Sequence, residues 1–197
     1  MVLCDGVGEE PLSRRPLHGI WTALAPMPTP RSEVAVVEVD GTVYVFGGFG
    51  QGATAAEAYD PSTDSWRELA PIPGPVNHAG AVAVDGVIYL VGGFDPGFQP
   101  IGDVRAYHPT TDSWTTKADL PTIRGGLGAV VVNGEILAIG GRGARGDVGT
   151  NERYDHAKDT WEPLSPMPTG RDHVAAAVVD GRVYIIGGRL ESFARNL

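Results

Sequence analysis

A short apolar run closed by two glycines is written four times in this chain: GTVYVFGG (41–48), GVIYLVGG (86–93), GEILAIGG (134–141) and GRVYIIGG (181–188). The doublets begin at Gly47, Gly92, Gly140 and Gly187, at spacings of 45, 48 and 47 residues. The four tryptophans, Trp21, Trp66, Trp114 and Trp161, keep those same spacings. Two independent markers with one period mean one structural unit per period. A unit of that size cannot cover both its own faces, so it must stack against its neighbours.

Each period reads as four strands. EVAVVEV (33–39) has the apolar pattern of a buried strand. Asp40-Gly41 follows, then TVYVF; Asp85-Gly86, Asn133-Gly134 and Asp180-Gly181 stand at the same place in the other periods. Strand, Asp-Gly or Asn-Gly, strand predicts a hairpin with a type I′ turn, which needs positive φ at both central residues. After a variable loop, AEAYDPSTDSW (56–66) predicts a third strand ending near Tyr59, a turn, and a fourth strand opening at Trp66. VRAYHPTTDSW and NERYDHAKDTW repeat this. A proline-containing connector leads into the next period (LAPMPTPR, LAPIPGPV, ADLPTIR, LSPMPTGR). The 28 glycines and 16 prolines suit many short strands joined by turns.

The glycine doublet, the tyrosine, the tryptophan and the proline connector, recurring in that order over about residues 20–190, resemble the Kelch repeat of β-propellers, as in the central domain of galactose oxidase. The resemblance implies an all-β, Kelch-type β-propeller of about four antiparallel blades, three complete and one incomplete. Residues 20–24 (IWTAL) read as a lone fourth strand, and a fourth tyrosine, due near 199–202, falls beyond Leu197. In a Kelch-like ring such an N-terminal strand can complete the last blade, with SFARNL (192–197) as a poor substitute for its third strand. A segment of a longer propeller is the favoured expectation, beside a strained four-blade ring or completion by oligomerisation. Residues 1–19 read as a flexible tail and 20–197 as the propeller. An unpaired edge at VYIIG (183–187) would favour self-association.

In an up-and-down blade, the connectors and the loops after the glycine doublets emerge on one face. These segments vary, so function is expected there. The candidates for contact with a partner are Arg31, Glu33, Phe49, His78, Phe94, Arg124, Arg142, Arg171 and His173. Arginines, aromatics and histidines on an otherwise acidic chain suit an acidic peptide or a polar ligand. In the Kelch pattern the arginine after the connector also has a structural use, bonding loop carbonyls between blades. His78 and His173 are read as loop-bonding groups on non-adjacent blades, and no metal site is expected.

Other classes are set aside on chemistry. The net charge of −9 opposes general nucleic-acid or anionic-membrane binding. Galactose-oxidase chemistry needs a cysteine cross-linked to a tyrosine at copper, and the single cysteine, Cys4, lies in the tail. No cofactor is expected. Arg145-Gly146-Asp147 is a chance-length adhesion motif, and GFGQG (48–52) lacks the following helix of a phosphate cradle. The absence of an apolar leader makes cytoplasmic the default location. The expected function is protein–protein interaction without catalysis. The alternative is a sugar-active Kelch enzyme or its remnant, of the N-acetylneuraminate mutarotase kind, using the mouth arginines and histidines.

Overall fold

The computed structural model describes residues 2–5 and 20–190. Three four-stranded antiparallel sheets follow one another, each ordered first strand to fourth. Blade 1 is Ala35–Val39, Thr42–Phe46, Ala56–Asp60 and Ser65–Glu68. Blade 2 is Gly80–Val84, Val87–Val91, Val104–His108 and Ser113–Lys117. Blade 3 is Gly128–Val132, Glu135–Ile139, Asn151–Asp155 and Thr160–Leu164. A fourth sheet consists of Asp172–Val179 and Arg182–Arg189. The first strands of successive blades face one another, so they lie innermost and the tryptophan strands lie at the rim. The turns within the first hairpins are those the sequence requires: φ is 49° at Asp40 and 78° at Gly41, and the other three pairs match.

The glycine doublet is where one blade docks on the next. The second glycine donates its N–H to a connector carbonyl of the following blade: Gly48 to Val76 (2.8 Å), Gly93 to Arg124 (3.0 Å) and Gly141 to Arg171 (2.8 Å). The first glycine has φ near +60°, and a Cβ on it would lie 2.3 Å from the Val76 carbonyl oxygen at Gly47 and 2.4 Å from that of Arg124 at Gly92. Only glycine satisfies both the left-handed backbone and the close approach. At Gly187, whose φ is 68°, an added Cβ meets nothing within 4 Å among the described residues.

The tyrosine and tryptophan build the rim contact. Trp66 donates its indole N–H to the Ala25 carbonyl, Trp114 to Ala70 and Trp161 to Ala118, each at 2.9 Å. Asp64, Asp112 and Asp159 complete the device. Each carboxylate accepts from the buried tyrosine of its own blade and from a backbone N–H of the preceding connector. Tilted ring contacts of Tyr59 with Trp66, Tyr107 with Trp114 and Tyr154 with Trp161, with centroids about 5 Å apart, add apolar contact. The core lies between sheets: Phe46, Val76, Ile88, Leu90 and Tyr107 pack between blades 1 and 2, and Val91, Leu120, Leu127, Ile136 and Tyr154 between blades 2 and 3.

These phenols are hard to ionise. The hydrogen bond to Asp64, then burial, pushes Tyr59 up to about 12. Burial, then the bonds to Asp112 and Asp159, holds Tyr107 and Tyr154 well above the ordinary phenol. Their folded-state values exceed the unfolded value of about 10, so their stabilisation is complete below about pH 10 and is lost as pH rises past it. In an absorbance titration, Tyr59, Tyr107 and Tyr154 should ionise only as the sheet signal is lost. Ionisation of all six tyrosines near the ordinary value, with the sheet intact, would contradict the rim device.

Two expectations need revision. Ile20–Ala23 pairs with Val2–Asp5, with Cys4 opposite Trp21, and no pairing joins it to the fourth sheet among the described residues. The strand expected to complete blade 4 has taken the partner that is nearer in sequence, and Trp21 is 69% exposed. Val2–Asp5 is therefore a strand within the stretch expected to be a tail; the rest of 1–19, and the proposed substitute strand 192–197, lie outside the described residues. Among the described residues, nothing covers one face of blade 4. Ile186 is 65% exposed, whereas its equivalents Phe46, Val91 and Ile139 are at most 3% exposed.

Candidate functional site

The inner ends of the blades form three rings of four equivalent residues. After each glycine doublet stand Phe49, Phe94, Arg142 and Arg189. Opposite them, in short backbone pairings, stand Ser32, Asn77, Gly125 and Asp172. Next along the chain come Glu33, His78, Gly126 and His173, all left-handed, with φ of 55°, 53°, 63° and 53°. The third ring is tied by its own backbone. His78 N–H donates to the Glu33 carbonyl (3.2 Å), Gly126 to His78 (2.9 Å) and His173 to Gly126 (2.7 Å). Three non-glycine residues held at positive φ are a costly arrangement, kept here by these bonds between blades.

Because the left-handed turn aims these side chains inward, groups from distant periods meet. The rings of His78 and His173 lie edge to face with centroids 4.7 Å apart. They meet across Gly126, where an added Cβ would sit 3.1 Å from His173 Nδ1. His78 Nε2 is 3.3 Å from Glu33 Oε2. Burial lowers the His78 pKa, with Glu33 opposing and His173 and Arg189 adding to the effect. Asp172 is buried and forked by Arg189 (3.1 and 2.8 Å), and it faces His173 Nδ1 at 2.8 Å. Burial would raise its carboxyl, but the Arg189 and His173 hydrogen bonds prevail and hold it below the usual carboxylate range.

Beside this cluster opens a cavity of about 400 Å³, walled by Phe94, Phe98 and Pro100 on one side and by Arg142, Asp172, His173 and Arg189 on the other. Phe98, at φ 60° and 55% exposed, is held out by a turn in which Asp95 Oδ1 accepts from the N–H groups of Gly97 and Gln99. Phe49, His78, Phe94 and Phe98 form one aromatic group, with centroid separations of 5.1–5.8 Å. Arg142 pairs with Asp147 at 3.0 Å, and the Asp147 side chain is buried, so the Arg145-Gly146-Asp147 tripeptide does not present its acid.

The profile of the KLHDC2/KLHL20/DRC7 Kelch-repeats domain matches residues 20–188. The chain belongs to the Kelch-repeat family. Among solved structures this Kelch chain is similar to YjhT ("Structure of YjhT"), with a TM-score of 0.76 and 22% identity over 84% of its own length. It spans 60% of the YjhT chain. That likeness fixes the fold of the blades.

Two of the expected site residues stand elsewhere in this Kelch unit. The Arg124 side chain is fully buried. Its donors go to the Thr122, Ala138 and Gly140 carbonyls and to Glu152 at 2.5 Å. Arg31 repeats the pattern on Thr29, Val45 and Glu57. With every charged donor turned inward, neither reaches a partner, and the reason is that each connector arginine pins its own blade. Arg171 donates to the Gly187 carbonyl at 2.7 Å, and among the described residues no carboxylate faces it. Glu33, Phe49, His78, Phe94, Arg142 and His173 gather at the mouth. Phe98, Asp172 and Arg189 join them. Equivalence to Phe49 and Arg142 is the signal in the sequence that marks Arg189, whereas Phe98 lies in a loop whose turn no repeat position specifies.

Proposed function

We propose that this Kelch unit is a binding module that takes an acidic peptide segment of a protein partner at the mouth. The cavity beside the aromatic group carries this reading. One wall is apolar and offers Phe94 and Phe98 to a side chain; the other offers the guanidinium groups of Arg142 and Arg189 to a carboxylate. Phe98 is exposed whereas Phe94 is 3% exposed and backs it, and aromatics and arginines together are residue types that dominate interface energetics. The guanidinium charges are already partnered by Asp147 and Asp172, so a peptide carboxylate would share these donors rather than meet a bare cation.

Peptide display against the purified chain tests this. Enrichment of sequences with acidic and large apolar residues is the expected result, with Phe98→Ala weakening the best binder about tenfold, or about 1.4 kcal/mol. Phe98 is exposed, so this variant keeps its fold. No enrichment, or binding indifferent to Phe98 and to Arg142→Gln, would defeat the reading. Mutarotation of N-acetylneuraminate that is lost in Arg189→Gln would move the assignment to the sugar-active class.

A further inference from the structure

We propose that Glu33, His78 and His173 form a binding site for a zinc-class divalent cation, linking blades 1, 2 and 4 across the mouth. The three side chains offer one carboxylate oxygen and two imidazole nitrogens within 4.8 Å of one another. Nitrogen and carboxylate ligands in threes, with one position left open, are the set used by open zinc sites. Around a tetrahedral ion with bonds of about 2.1 Å, ligand atoms stand about 3.4 Å apart. The Glu33–His78 pair is already at 3.3 Å. His173 must approach, and the absence of a side chain at Gly126, where an added Cβ would lie 3.1 Å from His173 Nδ1, leaves its ring room on that side.

The surroundings fix which nitrogen faces the site. Asn77 Nδ2 donates to the Asp95 carbonyl at 3.1 Å, so its Oδ1 is the acceptor that faces His78 Nδ1 at 2.7 Å. His78 therefore carries its proton on Nδ1, and the Nε2 lone pair points at the Glu33 carboxylate. Two acceptors facing each other at that distance call for a proton or a cation between them. His173 is oriented in the same way, Nδ1 toward Asp172 Oδ2 at 2.8 Å, leaving Nε2 for a ligand. An imidazole held by an amide oxygen or a carboxylate through its other nitrogen is the usual outer support of a metal-binding histidine. The left-handed backbone at Glu33, His78 and His173 is a local cost that turns all three toward one point.

Arg189 Nη2 lies 2.9 Å from His173 Nε2 and 2.5 Å from its Nδ1, so the guanidinium charge stands against the ring itself. A cation held at Nε2 is repelled by that neighbouring charge, which gives the proposal a signature that ordinary surface histidines lack. The site has its fourth position for water or for a group held in the adjoining cavity. It goes beyond the peptide-binding reading and does not depend on it.

Calorimetric titration of the full chain with zinc chloride, with cobalt(II) absorption as a ligand-field readout, is the test. The expected result is one ion per chain and a tetrahedral cobalt spectrum. Binding should be lost in His78→Ala and His173→Ala, weakened tenfold or more in Glu33→Gln, and unchanged in His156→Ala. Arg189→Gln, which keeps a hydrogen bond to Asp172, should tighten it. Should the histidine variants fail to fold, Glu33→Gln and Arg189→Gln decide, since Glu33 is exposed and the amide introduced by Arg189→Gln retains the local bond. No saturable binding, binding that survives the His78 and His173 substitutions in folded protein, or indifference to both Glu33→Gln and Arg189→Gln would overturn the site.

Discussion

Replacing Arg124 by alanine is expected to destabilise the chain by about 3–5 kcal/mol, because it strands the buried Glu152 carboxylate without its partner. For a unit of this size that is a loss of about 10 °C in Tm. The double variant Arg124→Met, Glu152→Leu should recover most of it, since removing both charges also removes the cost of burying them. The repeat contains its own precedent. Thr29, Arg31 and Glu57 in blade 1, and Thr122, Arg124 and Glu152 in blade 3, form the same cluster, each threonine donating to the carboxylate at 2.7 Å. At those positions blade 2 has Gly74, Val76 and Arg105, and Arg105 pairs with Asp103 instead. All three members have changed together, and Gly74 leaves space that a side chain would take from the Arg105 guanidinium, 3.3 Å from an added Cβ. Thermal melts of the single and double variants check the point. Equal losses in the two would show that the pair is not what stabilises blade 3.

The blades were legible because their markers are local. Asp-Gly and Asn-Gly demand one turn, alternation demands one register, and a tryptophan in phase with a glycine doublet demands a repeat. The role of the connector arginines was only half legible. Their spacing located them correctly at the inner ends of the blades. Whether a guanidinium turns outward to a partner or inward to Glu57 or Glu152 depends on a strand more than twenty residues away. The convergence of His78 and His173 was hidden for a similar reason. It needs the left-handed turn at each position and the missing side chain at Gly126, and a single sequence shows the glycine without showing what fills its space. The pairing of Ile20–Ala23 with Val2–Asp5 escaped because residues 2–5 carry none of the repeat's markers.

The glycine doublets hold the second large effect. At Gly92 a methyl group would meet the Arg124 carbonyl oxygen at 2.4 Å, on a residue with φ of 59°. The chain could relieve the overlap only by moving the connector of blade 3, which would loosen the Gly93 to Arg124 hydrogen bond and the apolar contacts behind it. Backbone strain of about 1 kcal/mol and overpacking of about 1–3 kcal/mol together give a loss of about 2–4 kcal/mol for Gly92→Ala. Gly187 has the same backbone, with φ of 68°, but among the described residues nothing stands within 4 Å of an added Cβ, so Gly187→Ala should cost only the strain, about 1 kcal/mol.

Urea unfolding of Gly92→Ala and Gly187→Ala, side by side, is the most direct trial of the idea that each glycine doublet is a dock for the following blade. The account predicts that the first variant loses at least twice the stability of the second. Equal losses at the two doublets would contradict it, because the glycines would then be serving the bend of their own strand rather than the contact between blades.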